Sequence, residues 1–360
     1  QTCALPIWQV QRNEKLTAKN VHKNLTLTTD TLFIPVVVHV VYNTADQNIS
    51  DAQILSQINV LNEDYERMLG TRGYNNSSIG SNTRIEFRLA QLDQANLPTT
   101  GIERVQTAVT EFTNSGSEKD NVKFRSKGGA DAWRSTSYLN FWVCNLRSGL
   151  LGYASFPGGD AKVDGVAVTY KSFGDSVGTS ITLPYCLGRT TTHEVGHWLN
   201  LYHTFQDGCP NTNCLNEGDK VCDTPPVETP TSGCPPNRAS CGGSVLINDY
   251  MDYSYDACMN LITEGQNYRV RTTMDYIRNT LKQSPALTNH DFNLFGTHTG
   301  NYRYVLGRNF TINSTGTQTP FNIPSGSRVE VRARSNHKVT LGKNTKIMNG
   351  AVFKVMLYKN

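Results

Sequence analysis

Three histidines within eleven residues are the feature of this sequence best suited to chemistry. They lie in the stretch His193-Glu-Val-Gly-His-Trp-Leu-Asn-Leu-Tyr-His203. Residues i and i+4 of a helix share one face, so His193 and His197 can direct two imidazoles at one metal ion. Neutral imidazoles are typical zinc ligands, and three protein ligands leave the fourth position open, as a catalytic zinc site requires.

The third histidine follows His197 after six residues, and a continuous helix would place it badly. We therefore predict a turn at Asn200, because Asn tolerates the left-handed conformation that ends a helix. That turn would bring His203 back to complete the site. Glu217 is an alternative third ligand, at a spacing that other zinc enzymes use, but a Cys- and Asn-rich loop intervenes and His203 is preferred. Glu194 is placed to take a proton from a water molecule at the metal and is the predicted general base.

Composition excludes several classes of protein. The chain has 360 residues, of which 38% are hydrophobic and 18% charged, so it can bury a sizeable core and is not disordered. Its length favours about two domains. The net charge of +4 is spread without long runs, and we expect no nucleic-acid partner. The longest apolar stretch, 33–42, is about half of what a membrane span needs, so we expect no membrane span. A monomer is the expected state.

The cysteines indicate the compartment. Six of the nine lie between positions 209 and 258, and none of the six forms a C-x-x-C pair. Clustered cysteines in a loop-rich stretch are typical of disulfides, so we predict a secreted protein. The chain starts at Gln1 without the features of a secretory signal, and such a signal would have been removed or left out.

The pattern of elements predicts an α/β fold, in which helices pack on a sheet. Strands are predicted at 33–42, 84–92, 138–146, 152–156 and 164–170, and helices at about 51–65, 188–200 and 263–281. After about residue 291 short alternating strands predict a small all-β appendage, which could be solenoid-like although no firm repeat period is visible. The predicted division is an N-terminal extension at 1–32, a catalytic subdomain at 33–203, a second subdomain at 204–288 and the appendage at 289–360.

The histidine stretch resembles the metzincin pattern, H-E-x-x-H-x-x-G-x-x-H followed by a Met-turn. Asp249-Tyr-Met-Asp-Tyr-Ser-Tyr-Asp-Ala-Cys258 is similar to that turn. Within the metzincins the chain most resembles the pappalysin family, especially its ulilysin-like and cytophagalysin-like bacterial members, over about residues 33–285. Supporting stretches are 34–42, 57–64 and 218–225. One departure is Asn200, where the pattern has Gly, and the backbone argument above says that it is tolerated.

The resemblance implies a metzincin catalytic domain and a zinc-dependent endopeptidase that hydrolyses proteins or peptides. The fold would contain a twisted, mostly parallel sheet with a backing helix and an active-site helix, followed by an irregular, disulfide-bearing subdomain. Met251 would form the hydrophobic base beneath the zinc, and Tyr253 would stabilise the oxyanion. Asp256 matches an acidic position on the floor of the pocket for the residue after the scissile bond (P1′), where it would favour Arg or Lys.

The resemblance also implies a substrate-binding rim and further structural features. The rim would consist of Leu151, Gly152, Tyr153 and Ala154, which pair with the substrate backbone as an added strand does. Cys222 and Cys258 match a family disulfide, whereas the pairs Cys214–Cys241 and Cys209–Cys234 are guesses. Related enzymes hold calcium in the oxygen-rich segment that follows the zinc ligands. Its candidate calcium ligands here are Asp219, Asp223 and Thr224.

Some alternatives stay open at the level of sequence. Cys3 would act as a latency ligand to the zinc, with residues 1–32 a removable pro-segment, or it would form a bridge to Cys144 or Cys186. Instead of proteins, the enzyme could hydrolyse a non-protein amide such as a cell-wall peptide. A surface-binding protein that keeps a metzincin scaffold without proteolysis is the other alternative. His39 lies in a β-branched run and is predicted to be a core histidine.

Overall fold

The computed structural model describes most of the chain up to residue 287 and parts of the C-terminal region beyond it. The described ranges are 30–97, 99–147, 149–175, 184–209, 213–287, 292–294, 301–306, 310–312, 322–334, 339–341 and 345–358. The predicted extension therefore lies almost entirely outside the described residues, and so does Cys3.

A six-stranded sheet forms the centre of the region between residues 30 and 287. Its order is β2-β1-β4-β6-β5, with β3 also paired to β1, and all pairs are parallel except the antiparallel pair of β5 with β6. β5 therefore forms one edge of the sheet. The strands are β1 (Leu32–Tyr42), β2 (Ile85–Leu89), β3 (Ile102–Gln106), β4 (Leu139–Cys144), β5 (Gly152–Ala154) and β6 (Val166–Thr169).

The position of β1 in the sheet explains why its sequence is a continuous run of apolar residues rather than an alternation of apolar and polar ones. The side chains of Val36 and Val38 pack into the core on the helical face, while Val37 and Val41 join clusters on the other face. Strands of parallel sheets are covered on both faces, so both sets of side chains must be apolar. The predicted mostly parallel sheet is confirmed.

Three helices accompany the sheet, namely α1 (Asp51–Tyr65), α2 (Arg189–Trp198) and α3 (Glu264–Tyr276). Ser50 caps α1 by accepting a hydrogen bond from the Gln53 N–H. Thr263 and Gln266 form a capping box at the start of α3. The predicted last helix was too long, since the chain after Tyr276 continues as a 3₁₀ turn at Asn279–Gln283.

β3 was missed by the sequence analysis. Its residues are partly exposed and mix two charged side chains with two apolar ones, which is a weak strand signal. It forms because its register places it beside the second half of β1, from Val38↔Ile102 to Tyr42↔Gln106. β3 also supplies Glu103, whose carboxylate lies 2.7 Å from Nδ1 of His39. With Asn140 Oδ1 at 3.0 Å from its Nε2, His39 is the satisfied core histidine that was predicted.

The predicted disulfide pairs are wrong, although the prediction that these six cysteines form disulfides is confirmed. The chain turns back between Cys214 and Cys222, and their Cα atoms lie 5.0 Å apart, which leaves Cys222 unable to pair with Cys258. Cys258 instead lies beside the segment that contains Gly233, whose carbonyl accepts from the Tyr255 N–H, and it pairs with Cys234. The three bridges are Cys209–Cys241, Cys214–Cys222 and Cys234–Cys258. The guesses Cys214–Cys241 and Cys209–Cys234 are therefore wrong as well.

A short antiparallel hairpin lies within this disulfide-bearing region. It consists of β7 (Ala239–Ser240) and β8 (Gly243–Ser244), and Cys241 lies in its turn. The bridge from Cys209 to Cys241 therefore attaches this hairpin to the chain that follows His203.

The described residues after 287 form strands in parallel sheets. They are β9 (Phe292–Leu294), β10 (Asn301–Leu306), β11 (Phe310–Ile312), β12 (Asn322–Ile323), β13 (Arg328–Arg334), β14 (Val339–Leu341), β15 (Lys346–Ile347) and β16 (Val352–Tyr358). β13 pairs with both β10 and β16, β11 pairs with both β9 and β14, and β12 pairs with β15. Parallel pairing between successive passes of the chain is typical of a β-solenoid and agrees with the predicted all-β appendage.

No helix among the described residues is both long and apolar enough to cross a lipid bilayer.

Candidate active site

The start of α2 is fixed by side chains of α1. Arg189 and Asp64 form an ion pair at 2.9 Å, and both side chains are fully buried. The other Asp64 oxygen accepts from the Thr192 hydroxyl at 2.7 Å. Gln57 accepts from the Thr191 hydroxyl and donates to the carbonyl of Gly188. α1 is thus the backing helix of the predicted fold, and it sets where the histidine-bearing helix begins.

The three histidines converge on one point. Their Nε2 atoms lie 3.1 Å apart for His193 and His197, 2.9 Å for His197 and His203, and 3.2 Å for His193 and His203. Nδ1 of His193 lies 2.6 Å from the carbonyl of Tyr250, and Nδ1 of His197 lies 2.8 Å from that of Leu201. In His193 and His197 the Nδ1 atom must carry the proton in order to donate to a carbonyl, so the Nε2 atom of each presents a lone pair.

Such a set of lone pairs fits a zinc ion. Ligand atoms at 2.0–2.1 Å from a tetrahedral zinc stand about 3.3 Å from each other, close to the observed separations. Burial lowers the pKa of His193 to about 4 and that of His197 to about 3, and it lowers the pKa of His203 further. The imidazoles are therefore neutral at physiological pH, which is the form that binds metal.

The turn after α2 has the predicted geometry. Asn200 has a φ of 77°, and its N–H donates to the carbonyl of His197 at 2.9 Å. The Leu201 N–H donates back to the carbonyl of Gly196 at 2.9 Å, which closes the helix end. His203 then returns to the other two histidines, and its ring stacks on Phe205 with a centroid distance of 4.6 Å. Glu217, the alternative ligand, lies elsewhere in a separate cavity.

The Met-turn lies beneath the histidines. Met251 is buried and packs against Gly196 of α2, where a larger residue would meet its sulfur. The Met251 N–H donates to Asp249 at 2.7 Å, and the Tyr253 N–H donates to Asp252 at 2.8 Å. Asp252 also accepts from the backbone of Thr231, so the turn is anchored on both sides of the methionine.

Glu194 and Tyr253 face the space in front of the histidines. Burial raises the pKa of Glu194 to about 8, and the nearby Lys123 ammonium partly opposes that rise. The Tyr253 ring lies 5.0 Å from the His203 ring and 5.5 Å from the His193 ring. Burial raises the pKa of Tyr253 to about 12, so its hydroxyl keeps its proton and can donate a hydrogen bond.

Two cavities open on either side of this centre. The first cavity has a volume of about 400 Å³ and extends towards Tyr185 and Asp256. The second cavity has a volume of about 280 Å³ and extends towards Lys119. Gly152, at the edge of the sheet, lines both cavities together with Glu194 and Tyr253. Of the other residues predicted to form the rim, Leu151 lines the first cavity, and Tyr153 and Ala154 line the second.

Asp256 lies in the first cavity and also contacts the start of α2. One of its oxygens accepts from the Leu187 N–H at 2.8 Å and from the Arg189 N–H at 3.2 Å. Burial raises the pKa of Asp256 to about 6, and the two backbone N–H groups and the Arg189 charge oppose the rise.

The predicted calcium ligands lie in two different places. Asp219 and Thr224 line a polar cavity of about 210 Å³ with Glu217, Asn213 and Thr204. Asp223 does not line that cavity, because its two oxygens accept from the Thr263 hydroxyl and the Gly265 N–H at the start of α3. Of the predicted ligand set, Asp223 is therefore engaged elsewhere.

Several residues that support the site were not identified from the sequence. Asp64 and Gln57 lie in a stretch that resembles the family, but their role depends on contacts with α2, more than 100 residues away. Lys123 is a buried lysine under the edge strand, with its ammonium 2.9 Å from Asp120. Cys144 and Cys186, the alternative partners of Cys3, are both buried, and burial raises the pKa of the Cys144 thiol.

The fold and site define a zinc peptidase of the metzincin type, and comparisons with known proteins agree. Residues 124–275 match the peptidase M43 family model, described as pregnancy-associated plasma protein-A. Extracellular metalloprotease 1 of Coccidioides posadasii is 37% identical over 233 residues, which cover 62% of this chain and 69% of that protein. An extracellular metalloprotease of Arthroderma otae is 34% identical over 66% of this chain and 76% of its own length.

Solved structures give the same result. Mature mirolysin of Tannerella forsythia, in complex with a cleaved peptide, is 45% identical with a TM-score of 0.64, covering 71% of this chain and 97% of that chain. A variant of promirolysin from the same organism is 41% identical with a TM-score of 0.66, covering 79% of this chain and 97% of that chain. The chain therefore belongs to the pappalysin family, and it is a zinc metalloendopeptidase. The extracellular relatives and the three disulfides agree with the prediction of a secreted enzyme.

Gly152→Ala should impair peptidase activity without unfolding the protein. An added Cβ at this position would lie 2.8 Å from Cγ of Glu194, so the glutamate must move. Because a displacement of about 1 Å at a reacting centre can cost about 100-fold in rate, we expect kcat/KM to fall about 10- to 100-fold. The measurement is peptide hydrolysis together with zinc content by atomic absorption.

Gly243→Ala is the matched control, since a Cβ there would meet nothing within 4 Å. It should keep normal activity. Equal activity of the two variants would show that the contact between Gly152 and Glu194 does not matter for catalysis.

Proposed function

We propose that this enzyme cleaves extended peptides by attack of water on the scissile carbonyl, with Glu194 as the general base. The observation that carries the proposal is the convergence of three histidine Nε2 atoms in front of a buried Glu194 and a protonated Tyr253. His193, His197 and His203 would hold the zinc. When bound, zinc supplies a Lewis acid that polarises the carbonyl and makes water acidic enough to attack near neutral pH.

Proton transfer and stabilisation of the oxyanion are assigned to side chains of the protein itself. The Glu194 carboxylate accepts a proton from the attacking water and returns it to the leaving amine. Its environment favours this double role, because burial brings its pKa close to the pH at which it must both accept and release a proton. The Tyr253 hydroxyl donates a hydrogen bond to the developing oxyanion. The low dielectric of the site strengthens both interactions.

The edge of the sheet supports an extended peptide as substrate rather than a compact amide. β5 pairs with β6 on one side only, so its other side presents backbone groups to the cleft. A peptide that adds to this edge gains main-chain hydrogen bonds over several residues. A small cell-wall amide would use little of this edge, which makes the hydrolysis of such an amide the weaker alternative.

Glu194→Ala should retain zinc and lose turnover. Removal of the base should lower kcat by at least about 100-fold, because a positioned general base contributes about 100- to 10,000-fold. The zinc content should stay at one ion per chain, since Glu194 is not among the converging ligands. Cleavage of a proteome-derived peptide library, read by mass spectrometry, measures the activity.

Glu228→Ala provides a control at an exposed glutamate outside the cleft. It should cleave the same peptides as the unmodified enzyme. If Glu194→Ala still cleaves the library at a comparable rate, Glu194 is not the base.

For specificity, we propose that the first cavity binds the P1′ side chain and that Asp256 selects Arg or Lys there. One oxygen of Asp256 is engaged by two backbone N–H groups, and the other remains available towards the cavity. A cationic side chain that enters this buried pocket would find a carboxylate as its partner. The aromatic ring of Tyr185 in the same cavity adds a face on which a guanidinium can pack.

The preference for a basic P1′ residue should weaken as the pH falls through about 6. The pKa of Asp256 is raised to about 6, so its charge is present above that pH and is lost below it. The ratio of kcat/KM for P1′ Arg over P1′ Leu peptides, measured between pH 5 and 8, reports the ionisation in the free enzyme. Asp256→Asn should give a low, flat ratio. A ratio that changes with pH equally in both proteins would exclude Asp256 as the selecting group.

We also propose a structural calcium ion in the cavity that contains Asp219 and Thr224. Burial raises the pKa of Asp219 to about 7, although the Thr224 hydroxyl, the Val221 N–H and the Arg269 charge oppose the rise, and a bound cation would favour the charged form. The Thr204 hydroxyl in the same cavity is buried without a hydrogen-bond partner. Carboxylate, amide and hydroxyl oxygens are the ligands that calcium prefers.

Calcium should stabilise the zinc-loaded enzyme, by about 2.7 kcal/mol at a concentration 100 times its dissociation constant. Thermal unfolding with and without calcium measures the effect. Asp219→Asn should abolish it, whereas Asp46→Asn, at an exposed aspartate far along the chain, should not. A shift of Tm that survives Asp219→Asn would place the ion elsewhere.

We also propose that the enzyme is secreted with a removable N-terminal segment. Its support is the set of extracellular relatives and the similarity to promirolysin, which covers a larger share of this chain than mature mirolysin does. The latency role of Cys3 and the monomeric state remain predictions from the sequence.

A further inference from the structure

Lys123 is a buried charge beside the edge of the sheet, and the proposed mechanism gives it no role. Its side chain has almost no contact with solvent, and its Nζ atom lies 2.9 Å from the carboxylate of Asp120, which is also buried. An ammonium group that is taken out of water is costly unless oxygen atoms replace its hydration. The partners of this ammonium therefore indicate what it holds in place.

Two further oxygens around the Lys123 ammonium belong to the connection between β5 and β6. Nζ donates to the carbonyl of Val163 at 2.8 Å and to the hydroxyl of Ser155 at 3.3 Å. The Ser155 hydroxyl donates in turn to the carbonyl of Val163 at 2.6 Å. Ser155 directly follows β5, and Val163 lies shortly before β6. The ammonium therefore joins the two ends of the loop that connects these strands.

The same ammonium contacts the face of β5 that points away from α2. Gly152 faces α2, since an added Cβ there would meet Glu194. Side chains alternate along a strand, so Tyr153 points to the opposite face. Its ring centroid lies 4.8 Å from Nζ of Lys123, and that of Trp142 in β4 lies 5.3 Å from the same atom. Cation–π attraction thus adds to the hydrogen bonds that attach β5 to Lys123.

The turn that carries Lys123 is itself fixed. The Ala130 N–H donates to the carbonyl of Val122 at 2.9 Å, and the indole N–H of Trp142 donates to the carbonyl of Ala130 at 2.8 Å. Val122 is buried in the same hydrophobic cluster as Trp142 and Tyr153. Lys123 therefore reaches β5 from a support that is attached to β4.

β5 needs such support because it is short and is paired with protein on one side. It has three residues, and its ladder with β6 runs from Gly152↔Val168 to Ala154↔Val166. Under the proposed function, its other side receives the backbone of an extended peptide. A strand that is already ordered loses less conformational freedom when a peptide pairs with it, so a fixed β5 favours binding.

We propose that Lys123 is a positioning residue for substrate binding, because its buried ammonium holds β5 in the alignment with which an extended peptide pairs. The inference rests on the proposed function and deepens it. Lys123 acts through the strand rather than on the reacting atoms. Its loss should therefore impair long peptides more than a short substrate that spans only the scissile bond.

The test compares a blocked dipeptide with an octapeptide that has the same residues on both sides of the scissile bond, with Arg in P1′. The measured quantity is the ratio of kcat/KM for the octapeptide to that for the dipeptide. Lys123→Met combined with Asp120→Asn removes both charges, so that no buried carboxylate is left unpaired. The ratio should fall about tenfold, as expected when one or two main-chain hydrogen bonds to the peptide are lost. A changed charge near Glu194 would alter both substrates alike and cancel in the ratio.

Ser155→Ala is a milder variant, which keeps the ion pair and removes the hydroxyl that Lys123 contacts at the end of β5. It should lower the ratio about threefold, and it tests the proposal even if the double variant does not fold. Lys127→Met is the matched control, since Lys127 is an exposed lysine four residues after Lys123. It should keep the wild-type ratio. Thermal unfolding of each zinc-loaded variant shows whether it is folded at the assay temperature.

Binding without turnover separates this role from the proposed function. Fluorescence anisotropy with the zinc-loaded Glu194→Ala protein, with and without the Lys123 and Ser155 substitutions, measures the Kd of the octapeptide. Weaker binding after these substitutions, without cleavage by the wild type, would support the role of Lys123 and overturn the proposed cleavage. Cleavage in which the variants keep the wild-type ratio would keep the peptidase and overturn the role of Lys123. A wild-type enzyme that cleaves both substrates equally well would overturn peptide pairing with β5 and the role of Lys123 together.

Discussion

The buried ion pair between Asp64 and Arg189 is the interaction on which the site depends. It joins the backing helix α1 to the first turn of α2, and neither charge has access to water. A buried charge that loses its partner is strongly destabilising, commonly by about 3–5 kcal/mol, so the two helices cannot slide independently. Because α2 is a rigid element, fixing its first turn also fixes His193 and His197 further along it. The Arg189 N–H donates to Asp256 as well, so the converging histidines and the first cavity share one anchor.

Burial gives the site its chemical character. The same loss of solvent keeps the three imidazoles neutral, keeps the Tyr253 hydroxyl protonated and raises the pKa of Glu194. These groups would behave as ordinary side chains on the surface. The scaffold brings them together because each is held by a neighbour, such as the carbonyl of Tyr250 behind His193. The geometry is therefore prepared before a substrate arrives.

The sequence predicted what depends on local spacing. The i, i+4 histidines and the left-handed Asn200 are properties of a few adjacent residues, and both were found as expected. The disulfide pairs were wrong because pairing depends on how loops fold back in space, and spacing along the chain contains little of that information. Asp64 was overlooked for the same reason, since its partner Arg189 is 125 residues away.

The site is built from two parts of the chain, and one of them is held in place by disulfides. The metal ligands lie within eleven consecutive residues, whereas Met251, Tyr253 and Asp256 come about fifty residues later, after a segment tied by disulfides. The three histidines thus come from one short segment, whereas Tyr253 and Asp256 reach them through a region that disulfides hold together. We expect a chain with reduced cysteines to keep the histidine segment but to lose the fixed approach of Tyr253 and Asp256 to it. Formation of the disulfides would then couple a complete site to an oxidising compartment.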